Sequence, residues 1–499
     1  MLDRERNTPN FLNVLFEYKV VLLFAIVALF AFFASGMSTV LFFNELFTRF
    51  GRNTFMVLSL LIPVVAGLGL NFGIVIGAMA AQIAMFLVVL WGGQGLAGVG
   101  LVALVATPIA ILLGFLIGKL FNKMKGSEMI GGMVTALFAD GFYQFFFLFV
   151  MGGIITITNE RLMTATGVGV LNAIGLRENN MQQALDNVSL LNILTVGFWL
   201  VLVFVIAAIV FNLIKKQPFK LRGRGGLIKP LVVFAFFALT YGLSFVIEPF
   251  LYFLYQDRVI GLTAVRLAAL FVALYAIYRI IRVKLVEKSA ESLSKPFSYI
   301  VIAAVIFLVT LIPDINNGLS RVRVPIFTYM IIVGLCFFIN WFLTTRLGQN
   351  MRTVGHDRAV ATTAGINVDR TRIIAMIMST LLAAYGQIIM LQNFGVMQTY
   401  GAHSQVGLYA IAALLVGGAT VSRASVKHAI LGVILFHSLF ILAPVAGTQL
   451  MGSALIGEYF RVFVANAVIA IALIMHAWKR VKSRRKNKPV LDGGKVAVV

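Results

Sequence analysis

RLGQNMRTVGHDRAVATTAGINVDRTR (346–372) is a polar passage set between two apolar runs, 324–345 and 373–392. Each run reaches the ~20 residues that a straight helix needs to cross a bilayer. Within the passage, local chemistry marks a short helix at both ends. Asp357 can accept from the free amides of a first turn, Arg358–Thr363 carry the helix, and Gly365 closes it in a left-handed cap. Ala359, Ala361 and Ala364 keep its surface small, which suits close approach by another protein. Asp369 ahead of Arg370 predicts the start of a second, long apolar helix near Ile373. A capped helix held between two spans is a docking handle; the competing interpretation is a solvated loop with basic membrane anchors.

Composition bounds the rest. The chain has 499 residues, is 60% hydrophobic and only 12% charged, with a mean hydropathy of +0.97. A soluble protein cannot hide that much apolar surface, so the chain is read as a polytopic membrane protein. The lone cysteine, Cys336, lies in an apolar run and serves packing. The formal charge of +23 does not point to nucleic acid, because the basic residues fall in short joints between apolar runs.

Fourteen apolar runs are candidate spans: 20–43, 55–70, 72–91, 98–121, 129–151, 189–214, 231–253, 262–282, 298–313, 324–345, 373–392, 406–421, 426–447 and 457–478. The first is read as an uncleaved span. With the N-terminus inside, 32 of the 41 lysines and arginines fall in inside joints and seven in outside ones. That bias predicts both termini in the cytoplasm and puts the Asp357 helix there too. The runs 55–70 and 72–91 meet at Gly67-Leu68-Gly69-Leu70-Asn71-Phe72-Gly73, too tight for a solvated loop, which predicts a broken or re-entrant helix. Gly73 and Gly77, and Gly114 and Gly118, suit close helix packing.

The same residues carry a family resemblance. Thr345-Arg346-Leu347-Gly348, Gly355, Ala361 and Ala364-Gly365-Ile366-Asn367-Val368 resemble the cytoplasmic coupling loop of bacterial ABC importer permeases. The branch is that of ribose, galactoside, nucleoside, autoinducer and branched-chain amino acid permeases. The similarity continues through Ser379–Gln387, LYAIAALLVGGATVS (408–422) and the closing run around Tyr459–Trp478. The resemblance implies that Gly355, His356, Asp357, Arg358, Ala359, Ala361, Ala364, Gly365 and Ile366 dock an ATPase subunit. It also implies an all-α bundle with a core of about ten spans. The match to that core stops after Gly152-Gly153 and resumes near Pro325, so a four-helix insertion is expected between the fifth and sixth core helices. The expected division is 1–155 as the first core half, 156–320 as outside segment plus insertion, 321–480 as the second core half, and 481–499 as a basic tail. The two inside joints of the insertion, LIKKQPFKLRGRGGLIKP and RIIRVKLVEKSAESLSKP, are read first as topology determinants and second as sites for anionic lipid. The segment 156–187, with Glu160, Glu178 and Asp186, is a candidate contact for an external solute-binding protein.

Polar groups at membrane depth are costly and mark function or pairing. Asp140 lies halfway along 129–151, with Gln144 one turn later on the same face and Phe138, Phe142 and Tyr143 flanking them. Carboxylate, amide and aromatic rings together can hold hydroxyls and stack a sugar or base; alternatively, Asp140 pairs with a neighbouring helix. Asn71, Gln82, Asn340 and Gln387 are the other substrate-path candidates, with Gln392 and Asn393 weaker, since amides also tie helices together. Glu248 is read as interfacial. The five histidines show no metal-ligand spacing. GFLIGKL (114–120) lacks the glycine spacing and the hydroxyl of a phosphate loop, so no cofactor is expected on this chain, and ATP and magnesium belong to a partner ATPase.

Two functions are weighed. The first is the permease subunit of an ABC importer, not itself an enzyme. It would work with a second permease (the same or different), ATPase subunits and a solute-binding protein in the bacterial inner membrane, and carry a monosaccharide before a nucleoside. The second is an ion-coupled secondary transporter, which wants charged residues paired within spans; Asp140 has no cation at its depth in the core sequence. A membrane-embedded enzyme would need a catalytic cluster, and none is legible.

Overall fold

The computed structural model describes residues 19–124, 126–157, 159, 162–164, 167–214, 256–281 and 294–464, with scattered positions in 234–242 and 466–474. The first 18 residues, Glu160, Glu248, most of the run 231–253, the basic joints 215–233 and 282–293, and the tail 481–499 lie outside the described residues. The described chain is mostly helical. Six of its helices are long and apolar enough to cross a membrane, or up to eight if each of two bent pairs counts as one span. This is a multi-pass membrane protein.

Among the described residues, several of the expected runs do not form one straight span each, for local reasons. The run 20–43 is interrupted at Gly36, whose φ of 58° ends α1 (Lys19–Ser35) before α2 (Thr39–Ser59) begins. The runs 55–70 and 72–91 become the end of α2, the five-residue α3 (Leu61–Val65) and α4 (Ile74–Leu90), joined by an unwound stretch with Gly67 and Gly69 at positive φ. That is the break the glycines announced. The run 298–313 falls in α9 (Ser294–Val309), bent by 87° from α10 (Pro313–Arg321).

The chain divides into two compact units. The larger comprises 1–38, 52–179 and 334–499; the smaller comprises 39–51 and 180–333. In the smaller unit α7 (Leu190–Ile214), α8 (Gly261–Ile281), α9 and α10 accompany a short antiparallel ribbon of β2 (Arg258–Ile260) and β3 (Arg323–Pro325). Asp186 is buried there and accepts from Thr328 Oγ1 at 2.6 Å. It therefore offers no surface to a binding protein, whereas Glu178 of the larger unit is exposed.

In the larger unit, α14 (Val368–Phe394) is the central helix. Asn367 caps its start by accepting from the Arg370 amide at 2.9 Å, and Gly395 closes it in the left-handed region at φ 72°. The helix thus begins five residues before Ile373, and Asp369 is not its cap. Between apolar helices in lipid there is little hydrophobic drive, so close packing must hold them. Small residues supply it: a Cβ added at Gly114 would lie 2.8 Å from Ile377 Cα, and one at Gly118 2.9 Å from Ile373 Cα. Both glycines belong to α5 (Gly95–Lys123), so GFLIGKL is a packing stripe against α14. Beyond α14, β4 (Val396–Gln398) pairs antiparallel with β1 (Ala173–Gly175), and α15 (Ser404–Val416) and α16 (Val426–Met451) follow. Among the described residues, these two small ribbons and two isolated bridges depart from an all-helical chain.

Candidate functional site

The passage 346–372 folds as two short helices, α12 (Arg346–His356) and α13 (Arg358–Thr363). Thr345 caps α12, accepting from the Gly348 amide at 3.3 Å. Asp357 caps α13 with one oxygen that accepts from the Ala359 amide at 2.7 Å and the Val360 amide at 3.2 Å. At the other end Gly365, at φ 76°, lets its amide donate to Thr362 O and the Ile366 amide donate to Ala361 O, each at 3.0 Å. This is the paired closure that satisfies the last carbonyls of a helix. A six-residue helix has no stability of its own, so the caps and its seat must hold it.

The seat is made by glycine. A Cβ at Gly355 would fall on Val65 O, and one at Gly67 would lie 2.7 Å from Gly355 Cα. The end of α12 therefore rests backbone to backbone on the unwound stretch after α3. Of the nine residues expected to form the docking face, His356, Asp357, Ala359, Ala364 and Gly365 are exposed, and Gly355, Arg358 and Ile366 are half-buried. Ala361 is fully buried. It packs α13 onto the body of the unit and presents nothing to a partner. Its place on the outer face is taken by Val360, 55% exposed, with Thr362 and Thr363 beside it. Arg358 turns its guanidinium inward to Glu128, 2.6 Å away.

Beside this loop lies a cavity of about 510 Å³ lined by Asn340, Arg352, His356, Arg423 and Ser425, among others. Asn340, expected on the substrate path, opens here and not toward Asp140.

The second cluster surrounds Asp140 on α6 (Glu128–Phe145), which continues through a π-helical turn, Phe146–Val150. Gln144 Nε2 donates to Asp140 Oδ2 at 3.2 Å, the one-turn spacing read from sequence. The other carboxylate oxygen lies 2.6 Å from His403 Nε2, and the opposite ring nitrogen of His403 contacts Gln82 Oε1. Gln82 Nε2 in turn donates to Gln398 O at 3.1 Å, and Gln387 Nε2 to Ala402 O at 3.3 Å. Three helices thus reach into the segment 396–403. That segment is also held from the other side: Tyr400 Oη donates to Val170 O at 2.7 Å and Thr399 Oγ1 to Leu171 O at 2.7 Å. The ring of Tyr143 stands edge-on to His403 at 4.7 Å, and its hydroxyl is buried with no hydrogen-bond partner among the described residues. Gln387 Oε1 is likewise buried and unpartnered. Unsatisfied groups of this kind are where a ligand's donors and acceptors fit.

Asp140, Gln144, Gln82, Gln387 and Tyr143 therefore come together. Phe142, 63% exposed, and Phe138 lie on the outer face of α6 instead. Asn71 is a tie within the core: its Nδ2 donates to Ser379 Oγ at 3.3 Å. Gln392 and Asn393 bond to Ile389 O and Arg52 respectively. His403 is the residue that sequence reasoning missed, since its partner stands 263 positions away. The one available signal was a histidine immediately before an apolar run.

Comparison with known proteins decides the family. The model of the family described as branched-chain amino acid transport system / permease component matches residues 203–474, more than half of the chain. The chain belongs to this family. The family is a permease component and not a catalyst in its own right. The probable ABC transporter permease protein YphD of Escherichia coli (strain K12) is 31% identical over 153 residues, covering 30% of this chain and 43% of YphD. The ribose import permease protein RbsC of the same strain is 31% identical over 146 residues, covering 29% of this chain and 43% of RbsC. The chain thus spans less than half the length of the curated relatives it matches. No solved structure matches.

Proposed function

We propose that this chain is the transmembrane permease subunit of an ABC importer, moving a small polar solute inward by alternating access driven by partner ATPases. The observation that carries the reading is the helix 358–363, stopped at both ends, seated on glycine and exposing small residues in a chain of the permease family. ATP and magnesium would be held by the ATPase, which docks on His356, Asp357, Ala359, Val360, Ala364 and Gly365. A second permease, identical or different, and an extracytoplasmic solute-binding protein complete the assembly in the inner membrane, with both termini cytoplasmic. Movement of α12 and α13 would reach the unwound stretch 66–73 through the Gly355–Gly67 contact, a two-state element of the kind that alternating access requires.

The solute path runs by Asp140, Gln144, Gln82, Gln387 and Tyr143, whose carboxylate, amides and phenol suit the hydroxyls of a monosaccharide first and a nucleoside second. The similarity to the ribose import permease RbsC supports that order. The smaller unit, 180–333 with 39–51, supports the reading of four inserted helices between two halves of a ten-helix core, although the family match already begins at 203. A second reading has its own observation: the buried His403 paired with the half-buried Asp140 is an ionisable couple of the kind a proton-coupled carrier would use.

The test is reconstitution in sealed vesicles. Uptake that requires a co-purified ATPase and ATP supports the importer. Uptake by this chain alone, driven by a proton gradient, supports the carrier and removes the importer reading.

A further inference from the structure

Glu128, the first residue of α6, gathers four elements of the larger unit at one carboxyl group. Its Oε1 accepts from Arg358 Nη2 on α13 at 2.6 Å and also from Arg372 Nη2 at the start of α14. Its Oε2 accepts from the Gly126 amide at 2.9 Å, in the turn that joins α5 to α6. The two arginines extend the connection. Arg358 Nη2 also donates to Gly67 O at 3.4 Å, in the unwound stretch, and Arg372 Nη2 to Phe121 O at 3.3 Å, near the end of α5. Arg372 is fully buried, with Nε and Nη1 unpartnered, so Glu128 is the one carboxylate that the described structure pairs with its charge.

The burial of the three groups differs in a telling way. Arg358 is 36% exposed, Glu128 is buried and Arg372 is inaccessible. The linkage therefore runs from the surface helix inward. A group that only stabilised the fold would need one arginine, and Arg372 already supplies it from within. The second arginine comes from the six-residue helix, which also packs through its buried Ala361 and follows directly on the Gly355 seat of α12. Charge-assisted pairs of this kind are short and directional, and so hold the segments that carry them in register.

We propose that Glu128 is the positioning residue that carries displacement of the docking helix into the α5–α6 hairpin, and so toward Asp140 farther along α6; this rests on the importer reading. Pulling on Arg358 moves the Glu128 carboxylate and with it the first turn of α6, while Arg372 anchors the other side of the same oxygen to α14. The glycine contact delivers motion to the unwound stretch, and the carboxylate delivers it to α6. The two halves of the solute path then move in step.

The experiment uses the full complex with its ATPase, compared nucleotide-free and trapped with ADP and vanadate, and reads backbone hydrogen exchange by peptide. In the unaltered complex, nucleotide should change exchange in 358–366 and also in 121–135. In Glu128→Gln, with the ATPase still bound, the change at 358–366 should persist while that at 121–135 falls at least fivefold. Glu128→Asp, which keeps the charge, should restore part of it. Because Glu128→Gln leaves the Arg372 charge buried alone, the double variant Glu128→Gln with Arg372→Gln removes that burden and should show the same selective loss. A nucleotide response at 121–135 that survives in both Gln variants overturns the proposal while leaving the importer reading in place. Failure of any ATPase to bind the unaltered chain overturns both.

Discussion

Replacing Asp357 with alanine removes the acceptor that holds two of the free amides in the first turn of α13, those of Ala359 and Val360. Loss of such a cap costs about 0.5–2 kcal/mol, typically ~1. The carboxylate also faces the positive end of the helix, worth another ~0.3–1 kcal/mol. A total of about 1–2 kcal/mol corresponds to a ~5- to 30-fold rise in local opening. The helix has six residues and cannot spread the loss over further turns. Asp357→Asn keeps an acceptor and loses only charge, so a rise of about two- to fivefold is expected there, the ~0.3–1 kcal/mol of the charge alone. Hydrogen exchange at the amide of Ala361, which donates to Asp357 O at 3.1 Å, reports the opening directly. Exchange in Asp357→Ala that stays within about twofold of the unaltered protein would refute the capping argument. Equal loss in the Asn and Ala variants would assign the effect to charge alone.

Other substitutions separate packing from docking. Ala361→Glu places a carboxylate in a fully buried position and should lower folded yield and melting temperature. Ala359→Glu on the exposed face should leave both unchanged and abolish ATPase recovery, read by pull-down. Gly355→Ala drives a methyl into Val65 O and should destabilise the larger unit by about 1–3 kcal/mol in thermal melts. Gly365→Ala meets open space and should cost only the ~1–2 kcal/mol of the left-handed backbone. Asp140→Asn and His403→Gln should each reduce reconstituted uptake at least tenfold, with the double variant no worse than either. Additive losses would show that the two side chains act separately.

What could be read from the sequence was local. Asp357 and Gly365 sit within a few residues of the amides and carbonyls they satisfy, so their roles follow from spacing. The glycines at 67 and 69 announce unwound backbone for the same reason. Asp369 is the expected cap of the long helix, yet Asn367, two positions earlier and equally able to accept, takes that place, because where the helix starts is set by what it packs against. Which face of α13 turns inward depends on what it rests against, so Ala361 was placed on the wrong side. Asp140 stood out because a carboxylate in an apolar run is expensive. Its partner His403 did not, because the contact is made by the turn after β4, far along the chain. Glu128 carries no local signal; only the fold brings Arg358 and Arg372 to it.

The central claim is that the stopped helix 358–363 meets a separate ATPase on the inner face of the membrane. With Cys336 changed to serine, a cysteine at position 364, on the exposed end of that helix, gives a single reactive probe. Cross-linking from Ala364→Cys to the ATPase in intact membranes, lost when the helix is altered by Ala359→Glu, is the predicted result. Labelling of the same cysteine by a membrane-impermeant reagent added to the outer face, or an active transporter from which no such cross-link forms, would contradict it.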